Sequence, residues 1–154
     1  MSDRYDLIVM GSGPAGQKAA IQGAKAGCRV AVIERGVAVG GECVQRGTIP
    51  SKTLREAVLI AGTHRARFDL GVGSPSESRP TIEQLLARVN TVIGHESEVV
   101  EHQLRRNDIT LISGAASFLD DHRIEVNSGQ GSRVVTAENI LIAVGTVPTE
   151  PPGV

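Results

Sequence analysis

Three glycines and one acid stand at spacings that could hold a phosphate chain. Gly11-Ser12-Gly13-Pro14-Ala15-Gly16 is a G-x-G-x-x-G, and Glu34 lies 18 residues after Gly16. Each part has a separate physical task. Gly11 lets the chain turn sharply, Gly13 lets backbone approach a pyrophosphate, and Gly16 lets a helix pack closely on a sheet. A helix opening at Pro14 and Ala15 would present its first N–H groups and positive dipole end to the same anion. A carboxylate at 34 can accept hydrogen bonds from ribose hydroxyls, which favours an unphosphorylated ribose, as in FAD or NAD, over one carrying a 2′-phosphate.

Such a motif needs elements to position it. Leu7-Ile8-Val9-Met10 and Val30-Ala31-Val32-Ile33 read as buried strands, and the segment from Pro14 to about Ala26 reads as the helix between them. Pro14 suits a helix opening, where its missing N–H costs nothing. Ala19, Ala20, Gly23 and Ala24 form a small-residue face that can lie against the sheet. Strand, glycine turn, helix, strand and acid together make a βαβ dinucleotide unit.

Further along, the segment from about Ser51 to Arg65 is expected to be helical, with Leu54, Val58 and Ala61 or Gly62 recurring at helical spacing. The Gly-, Ser- and Pro-rich stretch from Phe68 to Pro80 reads as a mobile loop. A long helix is expected from Thr81 to about Arg106, with Ile82, Leu85, Leu86, Val89 and Ile93 on its apolar face. His95, Glu98 and His102 share one face of it, but a solvated face explains them better than a metal site. Ile109–Ile112 reads as a strand. Three short segments, 116–119, 123–126 and 133–136, alternate at period two as an antiparallel meander. Ile140-Leu141-Ile142-Ala143-Val144 reads as a buried strand returning to the main sheet.

The chain of 154 residues is long enough for one domain with a core, and its net charge is −1. Aromatic residues make up 2% of it, so that core must be built from Val, Ile, Leu and Ala. No basic stripe supports nucleic-acid binding, and no apolar run reaches the length of a membrane span. Two cysteines, Cys28 and Cys43, make no disulfide framework, and Cys28 reads as a small buried residue. The N-terminus enters a strand without a secretory leader pattern, which predicts a cytoplasmic protein.

Several motifs together resemble one family. These are GSGPAG, the acid ending the second strand, the Gly40-Gly41-x-Cys43 to Ile49-Pro50-Ser51-Lys52 block, and the apolar run before Gly145-Thr146-Val147-Pro148. They resemble the FAD domain of the pyridine nucleotide-disulfide oxidoreductases, which include dihydrolipoamide dehydrogenase, glutathione reductase and mercuric reductase. The resemblance implies an α/β FAD/NAD(P)-binding Rossmann-like fold, with a mostly parallel central sheet, helices and a small antiparallel β-meander. It implies that the helices lie on one face of the sheet and the meander on the other. The disulfide-active members carry two cysteines with four residues between them in the Gly40–Lys52 block. Here the first is Cys43, and the second position is Thr48. Threonine cannot enter a disulfide, so dithiol exchange is not available at this loop. This change, with the IPSK context kept, is similar to the soluble (Si-specific) pyridine nucleotide transhydrogenases of the family, which move a hydride between NADPH and NAD through FAD.

By this resemblance Lys52 lies beside the flavin ring and stabilises negative charge on it. Cys43, unpaired, tunes or packs the ring. Gly11, Gly13, Pro14, Ala15, Gly16, Glu34, Arg35, Gly41, Gly114, Ala115, Ala143 and Gly145 complete the cofactor-binding set. The family also implies a nicotinamide domain, which binds NAD(P)H as substrate, and an interface domain, which makes a homodimer. Neither domain is found within 1–154, so the chain is expected to be an N-terminal FAD-binding piece without turnover, with weak FAD retention and a tendency to self-associate. The rival expectations are a dihydrolipoamide-dehydrogenase-like oxidoreductase and a non-catalytic nucleotide-binding module.

Overall fold

The computed structural model describes residues 4–70, 80–129, 131–147, 149 and 153, and of residues 64–69 the backbone only. The elements run β1 (Arg4–Met10), α1 (Pro14–Lys25), β2 (Val30–Glu34), α2 (Gly41–Gln45), α3 (Thr48–Asp69), α4 (Ile82–Arg106), β3 (Thr110–Ser113), β4 (Ala115–Phe118), β5 (Arg123–Ser128) and β6 (Gly131–Ile142). They group into two compact units, Met1–Gly41 with Val99–Val154, and Glu42–Glu98.

The first unit holds the sheet. Among the described residues its strand order is β3-β2-β1-β6-β5-β4. β3, β2, β1 and β6 run parallel, and β4 and β5 pair antiparallel beyond β6. The expected mostly parallel α/β sheet is therefore present. One correction concerns β6. The separate strands expected at 133–136 and 140–144 are one strand of 12 residues. Its first half pairs with β5, and its second half, from Thr136, pairs with β1. A sequence window sees two alternating runs with Ala137-Glu138-Asn139 between them, whereas the ladder passes straight through.

The two faces of the sheet carry different cores. On one, Ile8, Met10, Ala31, Ile33 and Ile112 of the parallel strands pack with Ile124, Val126, Val135 and Ala137 of the meander. On the other, Val9, Val30 and Val32 pack with Ala20 of α1 and with Val100 and Leu104 of α4. Within this unit α1 and the end of α4 thus cover one face and the meander the other, and the interior is aliphatic apart from Tyr5 and Met10. Cys28, expected to be a small buried residue, is half-buried and packs against the helix-side core. The turn between β4 and β5 is closed by Asp120. Its carboxylate accepts from the His122 and Arg123 backbone N–H groups and pairs with the Arg123 side chain. Those bonds hold Asp120 below the ordinary aspartate range, led by the Arg123 side chain.

The run 140–144 is not buried as expected. Leu141, Ile142 and Val144 are exposed, because no described element of the chain covers them.

In the second unit α3 begins at Thr48 rather than Ser51 and continues through Phe68 and Asp69, into the stretch expected to be loop. Pro50 sits in its first turn, where no intrahelical donor is needed. Thr53 and Ala57 are buried, while Val58 is 50% exposed. On α4 the expected stripe holds at Val89, but Ile82 and Leu86 are exposed. Periodicity fixes the spacing of a stripe, and the packing partner decides which neighbouring stripe is covered. α4 opens with a capping box, in which Thr81 and Gln84 exchange side-chain to backbone hydrogen bonds. The rest of the expected mobile loop, 71–79, lies outside the described residues.

Candidate functional site: a glycine turn clamped to an acid

The glycine turn leaves β1 at its carboxyl end. The Gly11 N–H donates to the Ile33 carbonyl at 2.8 Å, and the Ala143 N–H donates to the Met10 carbonyl at 2.8 Å, so the turn is seated between its two neighbouring strands. Gly11 has φ +103°, and a side-chain carbon there would lie 2.4 Å from the Ala143 oxygen. Gly16 is buried in α1, and a side-chain carbon there would lie 2.0 Å from the Gly11 oxygen. Gly13 differs. The nearest atom to an added carbon is the Gly41 Cα at 4.0 Å. Two of the three glycines are demanded by the protein's own packing. The third keeps open a space that the fold does not fill.

Gly13 is the N-cap of α1, offers no side-chain acceptor, and no acidic residue occupies the first turn. Pro14 and Ala15 are exposed. The helix tip therefore presents its positive end beside the open glycine, which suits a diphosphate. Gly41 approaches the same turn from the loop after β2; a side-chain carbon there would lie 2.7 Å from the Gly13 Cα.

Glu34 ends β2. Its Oε2 accepts from the Ser12 N–H at 2.9 Å and from the Ser12 hydroxyl at 2.5 Å, and its Oε1 accepts from the Gly36 N–H at 2.7 Å. Burial pushes this carboxyl up, but the bonds from the Ser12 hydroxyl and the Gly36 and Ser12 N–H groups together hold it below the ordinary glutamate range. Its folded-state pKa is thus lower than its unfolded one. The stability it contributes is present above the unfolded value and is lost as pH falls through the depressed folded value. Glu34→Gln should flatten that part of the acid-unfolding curve followed by circular dichroism. A variant that tracks the wild-type curve would show that the carboxylate contributes nothing.

The structure thus brings Gly11, Gly13, Gly16, Glu34, Gly41 and Ala143 together. Gly114 joins them through its N–H, which donates to the Glu34 carbonyl at 2.8 Å. Arg35 and Ala115 are exposed, and Gly145 follows β6 at φ +72° in open surroundings. Ser12, Gly36 and Gly40 were not singled out from the sequence as site residues. Ser12 is an unspecified position of the motif, and the one available signal was a hydroxyl placed in a tight turn that an acid must approach. In the second unit Cys43 is half-buried on α2, and Thr48 and Lys52 are exposed four residues apart on α3. Gln45 of α2 donates to the Ser97 hydroxyl of α4 at 2.9 Å. Among the described residues no three His, Cys, Asp or Glu side chains gather as metal ligands, and His95 and His102 are exposed.

A parallel sheet with a glycine turn at a strand's carboxyl end, an open helix tip and an acid on the next strand defines a dinucleotide-binding α/β protein. Residues 5–154 match the family model described as pyridine nucleotide-disulphide oxidoreductase, and the chain belongs to that family. It is 49% identical over 152 residues to the soluble pyridine nucleotide transhydrogenase of Mycobacterium bovis (strain BCG / Pasteur 1173P2), covering 97% of this chain and 32% of that protein. It is 42% identical to the transhydrogenase of Hahella chejuensis, covering 96% and 32%. Among solved structures it is similar to the Cu(II) complex of the HOCl-induced flavoprotein disulfide reductase RclA from Escherichia coli. That likeness has TM-score 0.78 and 30% identity, over 97% of this chain and 30% of that one. The chain thus spans about a third of the length of the relatives it matches.

Proposed function

We propose that this chain is the FAD-binding part of a soluble pyridine nucleotide transhydrogenase, whose overall reaction is NADPH + NAD⁺ → NADP⁺ + NADH. The observation that carries the reading is the open space at Gly13 beside an unblocked helix tip and the ionised Glu34, in a chain 49% identical to transhydrogenases. The residues present fit FAD. Gly11, Gly13 and Gly16 with Pro14 and Ala15 hold its pyrophosphate, Glu34 its adenosine ribose, and Gly114 and Ala115 pass its adenine. Arg35, Gly41, Ala143 and Gly145 line the remainder of the nucleotide. When bound, FAD supplies a two-electron carrier between the nicotinamides. Lys52 is assigned to charge stabilisation at the ring, and Cys43 to its packing.

Homodimer formation and a cytoplasmic location belong to this reading of the whole protein. Among the described residues no helix is long and apolar enough to cross a membrane. The 154-residue chain by itself is proposed to lack turnover and to hold FAD weakly. Near-stoichiometric flavin absorbance in its purified form would refute the second point.

A disulfide-reductase reading draws on the 30% identical RclA structure. It needs a second thiol where this chain has Thr48. The test is direct. Full-length protein should reduce an NAD analogue at the expense of NADPH without any dithiol substrate. Arsenite, which cross-links paired thiols, should leave that rate unchanged. Arsenite inhibition, or brisk lipoamide or glutathione reduction, would overturn the transhydrogenase assignment.

A further inference from the structure

We propose that the Ser12 hydroxyl is a positioning group of the cradle, clamping the Glu34 carboxylate and the Gly40 loop to the glycine turn. Ser12 is fully buried. Its Oγ donates to Glu34 Oε2 at 2.5 Å and accepts the Gly40 N–H at 3.1 Å, while its own N–H reaches the same Oε2 and its carbonyl accepts the Gln17 side-chain amide at 2.7 Å. One small residue therefore joins four segments: the turn itself, the end of β2, the loop before α2, and the first turn of α1. Both Ser12 donors fall on Oε2, so the acceptor capacity left for a ribose hydroxyl lies on Oε1. Ser12 selects the carboxylate's rotamer and decides which oxygen faces the ligand.

A buried site makes the clamp consequential. Removing Oγ leaves the buried Gly40 N–H and the half-buried Glu34 each one partner short, and bonds to a charged group are the stronger kind. The groups packed around Glu34 are the Ser12 hydroxyl and N–H from the turn, the Gly36 N–H from its own loop, and Ser113, its register partner on β3. Arg35, the neighbouring cation, is exposed. Among the described residues no cation forms an ion pair with Glu34, and of the bonds that lower its titration the one from the Ser12 hydroxyl is the largest.

The inference rests on the FAD reading for its ligand, and the experiment separates the two. FAD affinity is measured by flavin fluorescence for wild type, Ser12→Ala, Glu34→Gln and the double variant, from neutral pH downward. In parallel, carbon-13 NMR follows the Glu34 carboxyl in flavin-free protein. Ser12→Ala should weaken FAD binding about tenfold. It should also move the Glu34 titration up toward the ordinary range, and it should change affinity less than about twofold once Glu34 is Gln. Additive losses, or an unmoved Glu34 titration, would overturn the clamp. A shifted titration in a protein that binds no FAD would keep the clamp and defeat the FAD reading. Should the alanine variant misfold, Ser12→Cys keeps the shape with a weaker donor and must shift the titration in the same direction; failure to do so also overturns the clamp.

Discussion

Gly11→Ala and Gly16→Ala should each destroy the cradle together with its fold, whereas Gly13→Ala should keep the fold and lose the ligand. At Gly11 the cost has two parts. The backbone sits at φ +103°, which L-residues rarely adopt, and the new methyl would lie 2.4 Å from the backbone oxygen of Ala143, whose own N–H is bonded to the Met10 carbonyl. At Gly16 the methyl meets the Gly11 oxygen at 2.0 Å and the Val9 side chain at 3.2 Å, and the Gly11 backbone is held by its bond to Ile33. Strain and overpacking of this kind cost about 2–4 kcal/mol each. That is a large share of the stability of a small domain. Gly13 has an ordinary φ of −66° and nothing nearer than 4.0 Å, so alanine there costs little in the unliganded protein. It does occupy the space through which a pyrophosphate would approach the helix tip, and FAD affinity should fall roughly 100-fold. Thermal unfolding and flavin titration of the three variants decide the matter. If Gly11→Ala melts with the wild type, the turn is not under the constraint described. If Gly13→Ala binds FAD normally, the open space is not the diphosphate's.

Lys52→Ala should lower NADPH-to-NAD hydride transfer by the full-length protein about 100-fold, the scale of removing one preorganised charge from a reacting centre. Its flavin content and melting temperature should stay those of the wild type. The stability side follows from its setting. Lys52 is exposed near the N-terminal end of α3, and among the described residues it forms no ion pair. A cation near a helix N-terminus opposes the dipole rather than complementing it. Nothing in the fold thus asks for a lysine there, and surface changes of this kind usually move stability by no more than about 0.5 kcal/mol. Lys52→Arg, which keeps the charge but changes its shape, should recover part of the rate. Stopped-flow measurement of flavin reduction by NADPH gives the readout. An alanine variant turning over at the wild-type rate would remove Lys52 from the chemistry.

How much of this was legible beforehand depends on how local each feature is. β1, the glycine turn, α1, β2 and Glu34 follow one another within 31 residues, from Arg4 to Glu34, and each announces itself by a short-range pattern. Apolar runs mark the strands, small residues the helix face, and Gly and Pro the turn. The replacement of a second cysteine by Thr48 is likewise a fact of residue type, which no folding can alter. The unexpected results all depend on what comes from elsewhere in the chain. α3 buries Thr53 and Ala57 instead of Val58 because helical spacing allows several neighbouring stripes, and the covering element selects one. β6 is continuous because its two halves find different partners, β5 and β1. Only the folded chain separates Gly11 and Gly16, held by their own backbone neighbours, from Gly13, kept clear for a ligand. Only there does Ser12 meet Glu34, 22 residues away, and Gly40, 28 away. Residue type determines which bonds a side chain can make; distance in three dimensions, which a one-dimensional pattern does not carry, determines which of them it does make.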